Sequence, residues 1–244
     1  MDLKRTVKSL LGSIGLYVHF QPRDALPEHL HRLFGQLDIN VVIDVGGHYG
    51  EFGLLLRYFG YRGRIASFEP SSEALDRLKS CAKKDFDWQV FDCALGREQG
   101  ELDINVSSQT VFNSFLSATP FSLQQFRGGA DVVRKERVRV DTLDRMFSRC
   151  IEGVSNPGVY LKLDTQGFDL EVLRGASTVI ERVSALQSEM SLQPIYDGMP
   201  TLYEAMASIQ QQGFKLTGLY PVTRDSELGV IEFDCVMRRV GSTN

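Results

Sequence analysis

Short apolar runs alternate with longer amphipathic stretches from residue 40 onwards. The run NVVIDV at 40–45 is apolar at nearly every position, which is typical of a parallel strand covered on both faces. The amphipathic stretch EFGLLLRYFG at 51–60 predicts a helix that ends at a glycine. GRIASFEP, SSEALDRLKSCAKK and WQVFDCAL then predict a strand, a helix with a serine N-cap, and a third strand. This alternation predicts an α/β chain with a Rossmann-like, doubly wound and mostly parallel sheet.

The second half of the chain is less regular at first and then returns to the same alternation. GELDINVS at 100–107 alternates polar with apolar residues and predicts a strand, and VRKERVRV at 133–140 alternates basic with apolar residues and predicts an exposed strand. Residues 108–122 have no clear period and are predicted to form a loop. Further strands are predicted in GVYLKLD and VSALQSEMS, and the last two, FKLTGLYPV and GVIEFDCVMRR, have no helix between them. This order predicts an antiparallel hairpin at one edge of the sheet.

Residues 1–38 are predicted to form a helical extension of the α/β domain at 39–244. The extension begins with MDLKRTVKSLLGSIGLYVHF, whose basic start and interrupted apolar stretch predict an amphipathic helix packed on the domain. A weak contact with a membrane surface through Lys4, Arg5 and Lys8 is the alternative. No apolar run approaches the roughly 20 residues that a membrane span needs, so no transmembrane segment is expected.

Charge and cysteine content narrow the classes of partner and location. The formal net charge is -4 and no nucleic-acid-binding motif is present, so no nucleic-acid partner is expected. Four cysteines lie far apart, without the spacing of a metal site or a disulfide framework. This usage predicts reduced thiols in a cytoplasmic protein, and no metal site is assigned.

Four predicted strands end in an acidic residue, at the edge where an open α/β sheet binds its ligand. These residues are Asp44, Glu69, Asp92 and Asp164. Glu69 comes 25 residues after Asp44, at the tip of the adjacent strand, where a carboxylate can accept hydrogen bonds from both hydroxyls of a ribose. The pattern therefore predicts a ligand that contains adenosine.

The loop after Asp44 distinguishes between such ligands. Its glycines, Gly46, Gly47 and Gly50, do not fit the dinucleotide fingerprint, because His48 occupies the position of the middle glycine. A carboxylate beside the loop would repel a pyrophosphate but attract the ammonium and sulfonium groups of S-adenosylmethionine. We therefore predict S-adenosylmethionine as the cofactor, with the ring of His48 packed over it. A tight strand-to-helix turn without a ligand is the alternative.

Six motifs occur in the order VVIDVGGHYGEFG, ASFEP, VDTLD, LKLDTQGFDLEVLRGA, LQSEMSLQPIYDG and FDCVMRR. Over roughly residues 40–240 they resemble the FkbM family of S-adenosylmethionine-dependent methyltransferases. The resemblance implies a Rossmann-like domain that methylates hydroxyl groups of sugars, glycans or natural-product scaffolds. The positions that match the family's cofactor site are Asp44, Gly46 and Gly50 in the loop, Glu69 at the ribose and Asp92 near the adenine.

Methyl transfer to a hydroxyl group is helped by a general base. Asp164, at the tip of the fourth of these strands, is the candidate catalytic residue, and capping of the following helix is the alternative. His48 is a second candidate base, although its loop position favours packing over the cofactor. Lys162 shares a strand face with Asp164, and a buried salt bridge between Lys162 and Glu189 is predicted. A divalent-metal site at Asp164 and Glu189 is a further alternative, but no third ligand is evident.

The loop at 108–122 and the end of the strand before it contain aromatic and hydroxyl residues that suit a polyol. The predicted substrate-binding residues are Ser107, Ser108, Asn113, Ser114 and Phe115, together with Tyr196 at the same mouth. A surface loop without substrate contact is the alternative. The predicted acceptor is a small molecule or a glycan.

Three functions are compatible with these patterns. The first is an S-adenosylmethionine-dependent O-methyltransferase. The second is a protein of the same fold that binds S-adenosylmethionine without turnover. The third is an NAD-dependent oxidoreductase, which is disfavoured by His48 in place of a glycine.

Overall fold

Ten strands form two sheets in the computed structural model, which describes residues 25–241. The strands are β1 (Ile39–Val45), β2 (Arg64–Phe68), β3 (Trp88–Phe91), β4 (Ala94–Leu95), β5 (Gly100–Ser107), β6 (Val132–Asp141), β7 (Gly158–Leu163), β8 (Val183–Ser191), β9 (Phe214–Arg224) and β10 (Val230–Arg239). The main sheet has the order β3-β2-β1-β7-β8-β10-β9, and β4, β6 and β5 form a smaller one. Strands β3, β2, β1, β7 and β8 are parallel, whereas β10 is antiparallel to β8 and β9. The predicted Rossmann-like sheet with an antiparallel C-terminal hairpin is therefore confirmed.

Hydrophobic cores lie on both faces of the main sheet. The α-helices of the described residues are α1 (Leu26–Gln36), α2 (Glu51–Tyr58), α3 (Ser72–Ala82), α4 (Pro120–Gln125), α5 (Leu143–Cys150), α6 (Asp169–Arg174) and α7 (Leu202–Gln211). Strand β1 contributes Val41, Ile43 and Val45 to one core and Val42 to the other. All four side chains are at most 2% exposed. The strand is thus buried on both faces, as its apolar run predicts.

Polar residues at the helix starts satisfy backbone amides that have no partner within the helix. Thr201 and Glu204 form a reciprocal capping box at α7. Thr142 caps α5 by accepting the N–H of Arg145. Ser71 is the N-cap residue of α3, but its side chain makes no capping bond. The predicted position of the N-cap serine is therefore confirmed, but the expected hydrogen bond from its side chain to the helix is absent.

The stretch WQVFDCAL, predicted as one strand, is divided between the two sheets. Strand β3 ends at Phe91, and Ala94 and Leu95 pair with Val140 and Asp141 of β6. Strand β3 is at the edge of the main sheet, so β2 is its only strand partner there. Their last register pair is Phe68 and Phe91, and beyond Phe91 the chain has no strand to pair with in that sheet. The chain therefore leaves the main sheet after β3 and joins the smaller sheet at β4.

The N-terminal region is described only from Ala25 onwards. The predicted amphipathic helix in the first 20 residues, and its contact with a membrane surface, lie outside the described residues. The next predicted helix corresponds to α1, whose residues Leu30, Leu33 and Phe34 pack in the same core as Val42. Within residues 25–241, none of the helices has both the length and the apolar content to cross a membrane.

Candidate functional site

A cleft of 650 Å³ lies at the carboxyl ends of the central strands, a size within the range of small-molecule sites. Its loop side, at β1 and β2, is formed by Val45, Gly46, Gly47, His48 and Glu69. Its carboxylate side, at β7, β8 and β10, is formed by Asp164, Gln166, Glu189, Glu232 and Asp234. The two sides are neighbours because β1 pairs with β7 in the sheet.

Backbone amides on the loop side are already hydrogen-bonded within the protein. The N–H groups of Gly46 and Gly47 both donate to the carbonyl oxygen of Phe68, at 3.0 and 2.9 Å. The N–H of His48 donates to Glu69 Oε2 at 2.9 Å. A dinucleotide-binding loop offers such amides to the pyrophosphate. Here these three have protein acceptors instead.

Glu69 is fixed at the end of β2 by two backbone amides. Its Oε1 accepts the N–H of Ser71 and its Oε2 accepts the N–H of His48, each at 2.9 Å. Burial raises the pKa of Glu69 to about 7, against the opposing effect of these two hydrogen bonds. The carboxylate lines the cleft and keeps lone pairs for further donors, as a ribose-binding acid requires.

Asp44 lies beneath the glycine loop and does not line the cleft. Its side chain is 0% exposed, and its Oδ2 accepts the hydroxyl of Ser67 at 2.9 Å. Its Oδ1 has no hydrogen-bond partner but lies 3.5 Å from Lys162 Nζ. The Asp44 side chain is therefore not part of the cleft lining, and its predicted contact with the cofactor stays a prediction. The carboxylate supports the loop from below, and burial raises its pKa.

Lys162 is paired with two carboxylates, one on the neighbouring strand β1 and one just after its own strand β7. Its Nζ lies 2.9 Å from Asp164 Oδ2, and Asp44 is its register partner on β1. The predicted salt bridge with Glu189 is therefore wrong in its partner. Burial lowers the pKa of Lys162, but Asp164 and Asp44 outweigh it and raise the pKa above its usual value. Lys162 thus remains charged at neutral pH.

Asp164 faces the cleft and does not cap the following helix. The N-cap residue of α6 is Phe168, and the carboxylate that accepts the N–H of Thr165 belongs to Asp169. Burial raises the pKa of Asp164, but Lys162 outweighs it and holds the pKa below its usual value. The capping alternative is therefore wrong, and an ionised carboxylate is available to a ligand.

Gln166 connects the two carboxyl groups at the centre of the carboxylate side. Its Nε2 lies 3.1 Å from Asp164 Oδ1 and 3.1 Å from Glu189 Oε2. Its Oε1 accepts the hydroxyl of Tyr196 at 2.8 Å. The amide is therefore held by three partners while its backbone adopts a φ of 52°. Sequence reasoning missed this residue, because neither its side-chain direction nor its partners are visible in the pattern.

Two further carboxyl groups, Glu232 and Asp234, were also missed. Asp234 is the register partner of Glu189 across the antiparallel pair of β10 and β8. Burial is the main cause that raises the pKa of Glu232, Asp234 and Glu189 above the usual values. The alternation in VIEFD places the two acids on one strand face and was the available clue. Among residues 25–241, no group of three or more potential ligands is arranged to hold a metal ion.

The imidazole of His48 joins the glycine loop to the 3-10 turn Thr110–Phe112. Its Nε2 is 2.9 Å from Thr110 Oγ1 and its Nδ1 is 3.1 Å from Glu51 Oε1. The ring stacks on Tyr49 with centroids 3.8 Å apart. His48 lines the cleft, but both ring nitrogens have protein partners. This arrangement favours the predicted packing role over the alternative of a general base.

Three of the predicted substrate residues line the cleft, namely Asn113, Ser114 and Phe115. Each is also held by the surrounding protein. Asn113 Oδ1 accepts the N–H of Ser107 at 2.9 Å, and Ser114 Oγ donates to the carbonyl oxygen of Gln166 at 2.7 Å. The Phe115 ring packs against Phe168 with centroids 4.9 Å apart. The segment therefore forms a fixed wall of the cleft.

The other predicted substrate residues lie away from this cleft. Ser107 is 4% exposed and its hydroxyl donates to the carbonyl oxygen of Phe112. Ser108 donates its hydroxyl to backbone carbonyls near Gly128. Tyr196 is 1% exposed, because it packs behind Gln166 in a separate apolar cluster. Tyr196 therefore supports the site and does not form its mouth.

Two predicted cofactor residues also lie outside the cleft lining. The Asp92 side chain is 66% exposed and lies 3.7 Å from Lys79. It points to solvent because the chain leaves the main sheet directly after β3. Gly50 is the N-cap of α2 with a φ of 91°, and it packs against Trp88. Gly50 therefore shapes the loop and does not line the cleft.

Comparison with solved structures gives low sequence identities. A magnesium protoporphyrin IX methyltransferase from Synechocystis PCC 6803 with bound SAM is 10% identical, with 98% of each chain covered and a TM-score of 0.44. An rRNA methylase from Streptococcus thermophilus is 11% identical, with 91% of this chain and 99% of that chain covered and a TM-score of 0.44. A SAM dependent methyltransferase from Aquifex aeolicus is 12% identical, with 96% and 98% covered and a TM-score of 0.45. The substrates of these proteins say nothing about the acceptor of this chain.

One family model matches most of the chain. No curated protein matches the chain. The model of the Methyltransferase FkbM domain matches residues 44–216. This match runs from the last two residues of β1 through β8 to the start of β9, and it covers well over half of the chain, including the glycine loop and Asp164. The chain therefore belongs to the FkbM family of S-adenosylmethionine-dependent methyltransferases.

Proposed function

We propose that this protein is an O-methyltransferase that uses S-adenosylmethionine to methylate a hydroxyl group of a sugar, glycan or natural-product scaffold. The observation that carries the proposal is that one cleft contains both a candidate cofactor-binding side and a candidate acceptor-binding side. Its loop side presents Glu69 beside two glycines, and its carboxylate side presents Asp164 and Glu189. Methyl transfer to a hydroxyl group is helped by a general base, and a carboxylate beside the cofactor can act as one.

The loop side fits S-adenosylmethionine better than a dinucleotide. Glu69 has free lone pairs for the two hydroxyls of the ribose. The amides of Gly46, Gly47 and His48 are occupied, which disfavours a pyrophosphate but does not affect a phosphate-free cofactor. Gly46 and Gly47 line the cleft with their backbone, and a Cβ on either would point into the protein, towards Asp164 and Ser67 respectively. An NAD-dependent oxidoreductase is therefore the weaker proposal.

The carboxylate side suits a neutral acceptor that is rich in hydroxyl groups. When bound, S-adenosylmethionine supplies a methyl group that is attached to a positively charged sulfur, and the neutral thioether is a good leaving group. Asp164 and Glu189, which Gln166 holds through its amide nitrogen, offer carboxyl oxygens that can orient a hydroxyl, and Asn113 and Ser114 form the adjacent wall. Carboxylates at this density repel phosphates, which argues against a phosphorylated acceptor or a nucleic acid.

Two measurements test the proposal. Calorimetry should detect binding of S-adenosylhomocysteine and weaker or no binding of NADH. Formation of S-adenosylhomocysteine should then be followed with a panel of oligosaccharides, glycolipids and polyketides, in the wild-type protein and in Asp164→Asn. Methylation that the variant loses supports an enzyme in which this carboxylate acts. Cofactor binding without methylation of any acceptor would favour the alternative of a binding protein without turnover.

A further inference from the structure

Asp164 and Glu189 form a pair of carboxyl groups that share one hydrogen-bond donor. The amide nitrogen of Gln166 lies 3.1 Å from an oxygen of each. After burial, the negative charge of Asp164 is the largest cause that raises the pKa of Glu189. Carboxyl groups so close do not both ionise readily, so such a pair holds one proton near neutral pH.

The surroundings of the two carboxyl groups are unequal. Asp164 has the ammonium of Lys162 at 2.9 Å. The charged groups that face Glu189 are Lys162 on β7, Asp164 directly after that strand, and Glu232 and Asp234 on β10. Three of these four are acidic. Burial and the charges of Asp164, Glu232 and Asp234 raise the pKa of Glu189 well above its usual value. The shared proton therefore resides on Glu189 and the negative charge on Asp164.

We propose that Glu189 is the residue that takes the proton of the acceptor hydroxyl, and that Asp164 is a positioning residue that stays ionised beside Lys162. This inference rests on the proposed function and assigns separate roles within it. As the acceptor oxygen forms its bond to the methyl carbon, the methyl–sulfur bond breaks and its electron pair stays on sulfur. The O–H bond breaks in the same reaction, and its proton moves to the carboxylate of Glu189, from which it passes to solvent.

Glu189 must lose its own proton before it can act as a base. A cationic cofactor in the same cleft favours the ionised carboxylate, because opposite charge lowers the pKa of an acid. Glu189 therefore releases its proton when S-adenosylmethionine binds. Methyl transfer removes the positive charge from sulfur and restores the proton affinity of Glu189 as the acceptor loses its proton. Each new molecule of S-adenosylmethionine thus returns Glu189 to its ionised form, because the positive charge on sulfur lowers the pKa of the carboxyl group.

This inference can be tested without the acceptor. S-Adenosylmethionine and S-adenosylhomocysteine share their amino and carboxyl groups and differ at sulfur by one methyl group and one charge. Calorimetry in two buffers of different ionisation enthalpy measures the protons released on binding of each. At pH 7 the wild-type protein should release more protons with S-adenosylmethionine, by about one proton at most. The difference should disappear in Glu189→Gln and persist in Glu232→Gln, where it should shift to lower pH because Glu189 loses a negative neighbour.

Equal proton release with both molecules in the wild-type protein would overturn the inference. Loss of the difference in Glu232→Gln and its persistence in Glu189→Gln would also overturn it, in favour of Glu232. If neither molecule binds, the proposed function itself fails. In Asp164→Asn the proton release should shift to lower pH, because Glu189 loses a negative neighbour. An unchanged pH profile would show that the charge of Asp164 does not act on Glu189, which would contradict the positioning role.

Infrared difference spectra give a second measurement that needs no variant to fold. The wild-type protein should show the C=O band of a protonated carboxyl group in its complex with S-adenosylhomocysteine. That band should be lost in the complex with S-adenosylmethionine, and labelling of glutamate with carbon-13 should shift it. A band that is unchanged between the two complexes, or that does not shift with glutamate labelling, would contradict the assignment to Glu189.

Discussion

A Cβ atom placed on Gly46 would lie 2.0 Å from the backbone carbonyl oxygen of Asp164. The two residues are where the glycine loop after β1 meets the end of β7, and the N–H of Asp164 donates to the carbonyl oxygen of Val45 at 3.0 Å. The loop side and the carboxylate side of the cleft are therefore joined through backbone. Gly46 also has a φ of 84°, which L side chains rarely adopt.

The first prediction follows from this contact. Gly46→Ala should lower the free energy of unfolding by about 1–3 kcal/mol and reduce the affinity for S-adenosylhomocysteine, because the alanine separates β1 from β7. Urea denaturation and calorimetry measure the two effects. The matched control is Gly60→Ala, where φ is 90° but no atom lies within 4 Å of the added Cβ. Equal losses in the two variants would show that backbone strain alone matters at Gly46.

The second prediction concerns the pH dependence of cofactor binding. Burial raises the pKa of Glu69 to about 7, and the ionised carboxylate is the form that accepts two ribose hydroxyls. The affinity for S-adenosylhomocysteine should therefore rise between pH 6 and pH 8. Glu69→Ala should weaken binding by about 1–3 kcal/mol and flatten this profile. Calorimetry across the pH range measures both effects, and Glu73→Gln is the control because the Glu73 side chain is half-exposed. If the Glu69 and Glu73 variants bound S-adenosylhomocysteine with the same affinity and pH profile, the role of Glu69 would be refuted.

The sequence predicted the parts of this structure that depend on local pattern. The consecutive apolar residues of β1 indicated a strand buried on both faces, and the acid before Pro70 gave the position of Glu69 at the tip of β2. Asp44 shows where such reasoning stops. Its position at the end of β1 was correct, but its side chain turns under the loop towards Lys162. Position along a strand does not give the direction of a terminal side chain.

The carboxylate side of the cleft depends on sheet order, which local pattern does not specify. A hairpin of the last two strands was predicted, but not that β10 lies between β8 and β9. This insertion places Asp234 opposite Glu189 and brings Glu232 into the same cleft. The predicted partner of Lys162 was wrong for the same reason, since Glu189 meets β10 acids and Gln166 instead.

A third prediction concerns stability as a function of pH. Burial raises the pKa of Glu232 in the folded protein, so the folded state binds its proton more tightly than the unfolded state does. The contribution of this carboxyl group to stability is therefore present at low pH and is lost as the pH rises above its unfolded value of 4.5. Glu232→Gln should be about as stable as the wild type at pH 4 and more stable at pH 8. Urea denaturation at both values tests this, and a variant that is less stable at pH 8 would refute it.

A fourth prediction tests the support of Gln166 from behind. The hydroxyl of Tyr196 donates to Gln166 Oε1 at 2.8 Å in a buried position. Tyr196→Phe leaves this oxygen without its partner and should lower the free energy of unfolding by about 1–3 kcal/mol. Tyr203→Phe, whose ring is 72% exposed, should leave stability unchanged. Thermal and urea denaturation of both variants measure the difference, which would vanish if the Tyr196 hydroxyl were dispensable.

The last prediction concerns the charge balance beneath the cleft. Lys162 is the cation beside both Asp164, at 2.9 Å, and the wholly buried Asp44, at 3.5 Å. Lys162→Met should cost about 3–5 kcal/mol, because it leaves buried negative charge without a partner. The loss should be smaller at low pH, since burial already raises the pKa of Asp44 and protonation removes its charge.

Asp44→Asn removes one of the two charges that Lys162 compensates. The double variant Lys162→Met and Asp44→Asn should therefore be more stable than the sum of the single losses implies, by about 0.5–3 kcal/mol. A double-mutant cycle by urea denaturation at pH 7 measures this coupling. Strictly additive losses would mean that Asp164 alone uses the charge of Lys162, and the support of the glycine loop would then come from the hydrogen bond between Ser67 and Asp44.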